Sequence, residues 1–165
     1  FLLLTGTRSG EVRGARWDEV DLAGGVWTVP ADRMKAGKEH RVPLAPRAAQ
    51  ILKALPRMAG TEYVFPAPNG GKLSDMAISA VMRRMQLEAV PHGFRSTFRD
   101  WCSERTAYPR EVAEAALAHT LDSKVEAAYR RGDLFAKRTK LMNEWARFIE
   151  AKPVKGNVIA MKGRA

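Results

Sequence analysis

The chain has 165 residues, of which 45% are hydrophobic and 28% charged, a composition typical of one soluble globular domain. Its 28 lysines and arginines outnumber 18 acidic residues and give a formal net charge of +10. This excess favours a polyanionic partner, because each cation set against a phosphate releases counterions. The single cysteine, Cys102, excludes an internal disulfide, and three separated histidines argue against a structural zinc site. The longest apolar run, FLLL, is too short to span a membrane.

The first half of the chain is predicted to combine short helices with a small antiparallel sheet. Residues 1–5 indicate a helix end, and Ser9 is expected to cap a short helix that runs to about Arg16. Strands are predicted at VDL, VWTV and KEHRVPL, with a hairpin tip at PADRMKAGK before the third strand. This tip places Lys35 on an exposed turn beside the sheet. Pro46 is expected to open a helix over RAAQILKALPRMA.

The second half is predicted to be almost entirely helical. Ser74 is expected to cap a helix over DMAISAVMRRMQLEAV that Pro91 ends. Further helices are predicted at GFRSTFRDWCSER, PREVAEAALA, DSKVEAAYRR and LFAKRTKLMNEWARFIEA. The last carries an apolar stripe that must pack against the domain, formed by Leu141, Trp145, Phe148 and Ile149. The predicted fold class is therefore mainly α with a small antiparallel β-sheet (α+β), followed by a basic tail.

Six polar residues spread along the chain could together hold a phosphodiester and attack its phosphorus without a metal: Arg8, Lys35, His92, Arg95, His119 and Tyr129. Phosphoryl transfer needs an in-line nucleophile, charge stabilisation for the equatorial oxygens and a proton donor for the leaving oxygen. The sequence has no P-loop and no metal-ligand helix motif, so cationic side chains must supply the charge. Arginine suits this task because its planar fork binds two phosphate oxygens and keeps its charge.

Several of these residues also have a purely structural interpretation. Arg8 lies in the turn TGTRSGE and could simply pair with Glu11. His92 and Arg95 share the first turn of a predicted helix, where free N–H groups favour an anion. They could equally be a capping histidine and a solvated arginine. His119, at a junction between helices, could be a partly buried histidine with satisfied hydrogen bonds.

Among the three tyrosines, Tyr129 is the best candidate nucleophile. Tyr63 lies in the apolar run YVFP and Tyr108 lies in a turn, so we expect both to be structural. Tyr129 is followed by two arginines, whose charges would stabilise its phenolate. A tyrosine packed in a helix core is the alternative.

Five stretches of the sequence are each weak motifs alone but are specific in their order: TGTRSGEVRGARWDEVD, RMKAGKEHRVPL, HGFRSTFRDW, LAHT and AAYRRGDLFAKRTKLMNEWARFIE. Together they resemble the tyrosine recombinases, most closely prophage and genomic-island integrases, over nearly the whole chain. The resemblance implies the tyrosine recombinase catalytic-domain fold over residues 1–150 and a basic C-terminal tail over residues 151–165. The sequence opens on FLLLTG without an initiator methionine, and we expect the DNA-binding domains of the family to lie upstream, outside it.

The resemblance also implies how the scissile phosphate would be bound and cut. Arg8 and Arg95 match the two arginines that grip the phosphate. Tyr129 matches the nucleophile that forms a covalent 3′-phosphotyrosyl link. Lys35 matches the lysine that protonates the leaving 5′ oxygen, and Lys38 on the same hairpin is its main rival.

Three further positions complete the site that the resemblance implies. His92 matches a histidine that assists proton transfer, His119 matches the second histidine or tryptophan position, and Glu11 matches a supporting acidic position. The implied enzyme is a DNA strand-transferase, the site-specific recombinase or integrase of a mobile element. It would act on double-stranded DNA attachment sites and need no metal or other cofactor.

The resemblance implies a homo-oligomer on DNA, with a tetrameric synapse, although the isolated chain could be a monomer. No membrane partner is expected, and the expected location is the bacterial cytoplasm, at the nucleoid. Two alternatives stay open. One is a catalytically inactive DNA-binding module that keeps the fold. The other is a type IB topoisomerase, which uses the same chemistry for relaxation instead of strand exchange.

Overall fold

The structure, a computed structural model of the chain, describes residues 1–119 and 132–151. The helices of these ranges are α1 Leu2–Thr5, α2 Ser9–Arg13, α3 Pro46–Ala54, α4 Ala77–Arg84, α5 Gly93–Arg105, α6 Arg110–Ala116 and α7 Phe135–Glu150. The strands are β1 Val20–Asp21, β2 Val26–Val29 and β3 His40–Pro43, and short 3-10 helices cover Trp17–Glu19 and Ala31–Arg33. The predicted class, mainly α with one small antiparallel sheet, is confirmed.

The three strands form one antiparallel sheet in the order β1-β2-β3. Trp27 in the middle strand pairs with Val20 on one side and with Val42 on the other. Trp27 and Val29 are buried while their neighbours in β2 are half-buried, as expected for a strand with one face on the core. The turn between β2 and β3 contains Gly37 at a φ of 61°, a conformation that favours glycine.

The long helix α7 connects the two hydrophobic clusters of the domain. One cluster surrounds the sheet with α1 and α3, and the other lies among α5, α6 and α7. Leu141 and Trp145 of the predicted stripe are buried, Phe148 stacks on Trp145, and Ile149 packs against both clusters. The indole N–H of Trp145 donates to the carbonyl oxygen of Leu3 at 2.8 Å. This bond satisfies the buried donor and ties α7 to α1.

The predicted boundaries of α2 were wrong at both ends. Ser9 is the first residue of the helix, and the capping position before it is occupied by Arg8. The backbone N–H of Arg8 donates to Oε2 of Glu11 at 2.8 Å, so the acid of the first turn stabilises the helix start. The helix ends at Arg13 because the chain then pairs with the segment 62–64.

Helix α4 is shorter than predicted. It covers Ala77–Arg84, and the position before it is Met76, so the predicted cap at Ser74 was wrong. Gln86 adopts a left-handed φ of 55°, which ends the helix well before Pro91.

The helix predicted at RAAQILKALPRMA begins at Pro46 as expected but ends at Ala54. Leu55 precedes Pro56 and has an extended conformation. The residue before a proline disfavours the helical conformation, which explains the early end.

The helices predicted at GFRSTFRDWCSER and PREVAEAALA are confirmed as α5 and α6. The helix predicted at DSKVEAAYRR lies outside the described residues, as does the basic tail from residue 152 onward. Among the helices that the structure describes, none combines the length and the apolar character that crossing a bilayer would require.

Arg138 joins the start of α7 to the sheet through a buried guanidinium. Its side chain is 1% exposed, and its Nε donates to the carbonyl of Asp133 at 2.7 Å. Its two other nitrogens donate to the carbonyl of Arg41 in β3 at 2.5 Å and to Oδ2 of Asp133 at 2.8 Å. Burial lowers the pKa of Arg138, and the nearby Asp133 charge partly offsets this effect. The side chain therefore connects the residues before α7 to the sheet.

Replacing Arg138 with methionine should destabilise the fold. The variant removes a charged donor from two carbonyls and from the carboxylate of Asp133, so we expect the free energy of unfolding to fall by about 2–3 kcal/mol. Urea denaturation followed by circular dichroism measures this change. Arg147→Met is the matched control, because Arg147 is exposed on the same helix. It should change the free energy by less than about 0.5 kcal/mol, and equal losses in the two variants would contradict the assigned role of Arg138.

Candidate active site

A single cleft of about 560 Å³ is lined by four of the six predicted site residues, which are Arg8, Lys35, His92 and Arg95. Three separate elements supply them. Arg8 lies at the start of α2, Lys35 on the turn that follows β2, and the last two at the start of α5. The fold therefore gathers residues that are far apart in the sequence into one basic cleft.

Arg95 is buried at the base of this cleft, with 4% of its surface exposed. One guanidinium nitrogen donates to the carbonyl of Gly6 at 2.5 Å, and another donates to the carbonyl of Leu117 at 2.7 Å. Burial, followed by the charge of Arg8, lowers the pKa of Arg95 to about 10. The side chain still carries its charge at neutral pH, and its orientation is fixed by the backbone.

Arg8 pairs with Glu11 and lines the cleft at the same time. Its Nη1 lies 3.0 Å from Oε1 of Glu11, so the pairing left open by the sequence is present. The pairing does not remove the arginine from the site, because its side chain is 29% exposed and borders the cleft. The charge of Arg8 also contributes to the lowered pKa of Arg95. An anion between the two guanidinium groups would relieve this repulsion.

His119 reaches the site through Arg95. Its Nε2 lies 3.0 Å from Nη2 of Arg95, and its Nδ1 lies 2.6 Å from Oε2 of Glu114. The ring is 41% exposed, so it is neither fully buried nor free in solvent. Five of the six predicted residues are thus in the cleft or in direct contact with a residue that lines it.

The two lysines of the hairpin differ in their relation to the cleft. Both Lys35 and Lys38 are exposed, as the predicted turn requires. Lys35 is among the residues that line the cleft, and Lys38 is not. This geometry favours Lys35 of the two as a residue that contacts a bound ligand.

His92 occupies the position before the first residue of α5, and its side chain makes no capping hydrogen bond. Its backbone carbonyl accepts the N–H of Arg95 at 3.0 Å, so the main chain begins the helix. The exposed imidazole is left to line the cleft. The capping interpretation of this side chain was therefore wrong.

Tyr129, the predicted nucleophile, lies outside the described residues. The hydroxyl of Tyr108 donates to Oε1 of Glu144 at 2.7 Å, and burial together with this carboxylate raises the pKa of Tyr108 to about 12. The Tyr63 ring lies 5.8 Å from the guanidinium carbon of Arg16. Of the tyrosines in the described ranges, neither lines the cleft, which agrees with the structural roles predicted for them.

Sequence reasoning missed two residues that organise the site. Arg33 lines the cleft, forms an ion pair with Glu19 and donates to the carbonyl of Glu11 at 2.6 Å. Glu114 holds the imidazole of His119. The sequence signals for these two residues were weak. Arg33 is a second cation close to Lys35, and Glu114 is an acid five positions before His119.

His40, one of the three histidines for which the sequence suggested no zinc site, is buried and lies near the cleft arginines. Burial and the charge of Arg138 lower the pKa of His40 to about 4. The backbone of Ala116 partly opposes this shift, while Arg95 and Arg8 add to it. His40 is therefore neutral at neutral pH, and it lies close to both the cleft arginines and Arg138.

The part of the chain that the structure describes contains no group of three His, Cys, Asp or Glu side chains that could hold a metal ion. The positive charge in the cleft comes from side chains, principally Arg8, Lys35 and Arg95. Chemistry without a metal stays a prediction.

Solved structures share this architecture. The integrase from mycobacterium phage Brujita superposes with a TM-score of 0.67 and 20% identity, over 87% of this chain and 48% of that one. The lambda integrase dimer bound to a COC′ core site gives a TM-score of 0.52 and 21% identity, over 79% of this chain and 49% of that one. The expected fold, that of a tyrosine recombinase catalytic domain, is thereby confirmed.

Sequence comparison identifies the family. The phage integrase family matches residues 1–134. Prophage integrase IntA of Escherichia coli (strain K12) is 38% identical over 155 residues, which cover 90% of this chain and 37% of IntA. The chain belongs to the phage integrase family of tyrosine recombinases, and it spans well under half the length of this relative.

Buried neutral His40 should make folding stability depend on pH. Its pKa of about 4 lies below the usual 6.5, so the unfolded chain binds a proton that the folded chain excludes. The stability that this residue contributes to the fold is fully present above pH 6.5 and is lost as the pH falls toward 4. Between pH 7 and pH 5 we expect a loss of about 2 kcal/mol from this residue alone.

Urea denaturation at pH 7 and at pH 5 measures this loss, and His40→Gln isolates it. The variant should lose less stability over the same interval, because glutamine does not titrate. If both proteins lose the same free energy, His40 is not held neutral in the fold.

Proposed function

We propose that the chain is the catalytic domain of a site-specific DNA recombinase, the integrase of a mobile element. It would cut one DNA strand, hold it as a 3′-phosphotyrosine and pass it to the 5′ hydroxyl of another strand. The observation that carries this proposal is the cleft in which Arg8, Lys35, His92 and Arg95 converge. Membership of the phage integrase family supports it.

Phosphate binding is the first step of the proposed reaction. Arg8 and Arg95 would each donate to non-bridging oxygens of the scissile phosphate and stabilise the charge that develops on them. Because Arg95 is held by backbone carbonyls and Arg8 by Glu11, little reorganisation would be needed when DNA arrives. Such preorganised cations are worth more in a site from which water is excluded.

Strand cleavage follows as an in-line displacement at phosphorus. The phenolic oxygen of Tyr129 would form a bond to phosphorus while the bond to the 5′ oxygen breaks. His92 would assist removal of the phenolic proton, and Lys35 would donate a proton to the departing 5′ oxygen. Religation reverses these steps with the 5′ hydroxyl of a partner strand, so the energy of the cleaved bond is kept and no metal or nucleotide is consumed.

Double-stranded DNA is the proposed partner. The net charge of +10 and the basic cleft favour a polyanion, and the lambda integrase of similar fold is bound to a core site. Strand exchange requires several active sites, so we extend the proposal to a homo-oligomer on DNA with a tetrameric synapse. The proposed location is the bacterial cytoplasm, at the nucleoid.

Covalent capture of DNA tests the proposed chemistry. The full-length protein is incubated in EDTA with nicked suicide duplexes tiled across the DNA that flanks its gene, and denaturing gels report any protein–DNA adduct. We expect an adduct that disappears in Tyr129→Phe, because phenylalanine lacks the attacking oxygen.

Tyr63→Phe and Tyr108→Phe are the matched controls, since each removes a phenolic hydroxyl outside the cleft, and both should form the adduct. Absence of an adduct from the wild-type protein on every duplex would favour an inactive DNA-binding module. Relaxation of supercoiled plasmid without joining of two sites would favour a type IB topoisomerase.

A sulfur substitution distinguishes the two lysines as proton donor. Lys35→Ala should slow cleavage of ordinary DNA by about 10²-fold or more, as expected for the loss of a general acid. A 5′-bridging phosphorothiolate should restore the rate, because the thiolate leaves without a proton. Lys38→Ala should cleave both substrates at nearly the wild-type rate. Rescue confined to Lys38→Ala would assign the acid to Lys38 instead.

A further inference from the structure

Glu114 is a nearly buried carboxylate at the edge of the candidate site. Its side chain is 10% exposed and lies in α6. Oε2 is 2.6 Å from Nδ1 of His119, and Oε1 is 2.7 Å from Nε of Arg99 and 3.5 Å from Nε of Arg110. Burial disfavours the charged form of Glu114, but hydrogen bonds from His119 and Arg99 outweigh it and hold its pKa below the usual range. The group is therefore an anion at neutral pH.

The backbone after α6 brings His119 back to this carboxylate. The helix ends at Ala116, and Ala118 adopts a left-handed φ of 50°. The N–H of His119 then donates to the carbonyl of Glu114 at 2.9 Å. This φ is unfavourable for an alanine, so the turn persists because surrounding contacts hold it. Both the main chain and the side chain of Glu114 bind the same histidine.

The contact between His119 and Arg95 shows which ring nitrogen carries the proton while the ring is held in this orientation. A guanidinium has N–H donors and no acceptor, so Nε2 of His119 must accept the bond from Arg95. The proton of the neutral ring then lies on Nδ1, from which it is donated to Glu114. Arg95, His119 and Glu114 form one directed chain of hydrogen bonds.

We propose that Glu114 is a positioning residue that fixes the ring orientation and the Nδ1–H tautomer of His119. With this anchor, Nε2 faces Arg95 and any phosphate that Arg95 binds. This proposal rests on the function proposed for the cleft.

A purely structural role would use the same carboxylate to join α5 to α6 through Arg99. Two variants separate the alternatives. Glu114→Gln keeps the size of the side chain, removes its negative charge and replaces one of its two acceptor oxygens with a donor. Arg99→Met breaks the ion pair between the helices and leaves the contact between Glu114 and His119 in place.

Nuclear magnetic resonance tests the tautomer directly. Histidine side chains of the full-length protein are labelled with ¹⁵N, and the His119 signals are assigned by their loss in His119→Gln. We expect the Nδ1–H tautomer in the wild-type protein and in Arg99→Met. In Glu114→Gln we expect a mixture of tautomers, because the ring is no longer held by a carboxylate and rotates away from Arg95. Retention of a single Nδ1–H tautomer in Glu114→Gln would overturn the proposal.

Single-turnover cleavage of a suicide duplex tests whether the positioning of His119 by Glu114 affects the rate of strand cleavage. Glu114→Gln should lower the rate of adduct formation by about 10- to 100-fold, as for acids that orient metal-bound histidines. Non-covalent affinity for the same duplex should change by less than about twofold, because the lost interaction acts on the transition state. Arg99→Met should cleave at close to the wild-type rate.

Equal losses of rate in Glu114→Gln and Arg99→Met would assign Glu114 a structural role. A wild-type rate in Glu114→Gln would overturn the proposal as well. If the wild-type protein forms no adduct at all, the proposed function of the cleft fails, while the tautomer measurement still decides whether Glu114 fixes His119.

Discussion

A guanidinium that is 4% exposed needs protein acceptors for its donors, and Arg95 finds them in parts of the chain that are far apart in sequence. The carbonyl of Gly6 closes α1, and the carbonyl of Leu117 follows α6, so one buried side chain in α5 holds three helices together. The same burial leaves a fixed positive charge at the base of the cleft. The need of the buried Arg95 guanidinium for acceptors therefore determines both the packing of these helices and the position of the candidate anion site.

Carboxylates hold the cationic and imidazole groups of the site in place. Glu11, which also lines the cleft, holds Arg8, and Glu114 holds His119. These acids fix the orientation of the groups that they contact. The repulsion between Arg8 and Arg95 is left for a ligand to relieve. Stability and ligand binding thus draw on the same charges.

Local signals account for what the sequence predicted correctly. The alternation in β2, the stripe on α7 and the glycine at residue 37 are readable because each depends on near neighbours. The ends of α2 and α4 were missed because a distant pairing and a left-handed Gln86 decide them. The contact of Arg95 with Gly6 spans 89 positions, and no periodicity reveals it. Family resemblance, not spacing, predicted that the cleft residues would converge.

Peptide mapping of the covalent adduct identifies the residue that attacks the phosphate. The adduct is formed in EDTA with full-length protein and a suicide duplex, digested with protease and nuclease, and sequenced by mass spectrometry. We expect a nucleotide joined through its 3′ phosphate to the phenolic oxygen of Tyr129. Attachment to any other residue, or adduct formation that requires a divalent metal, would contradict the proposed reaction.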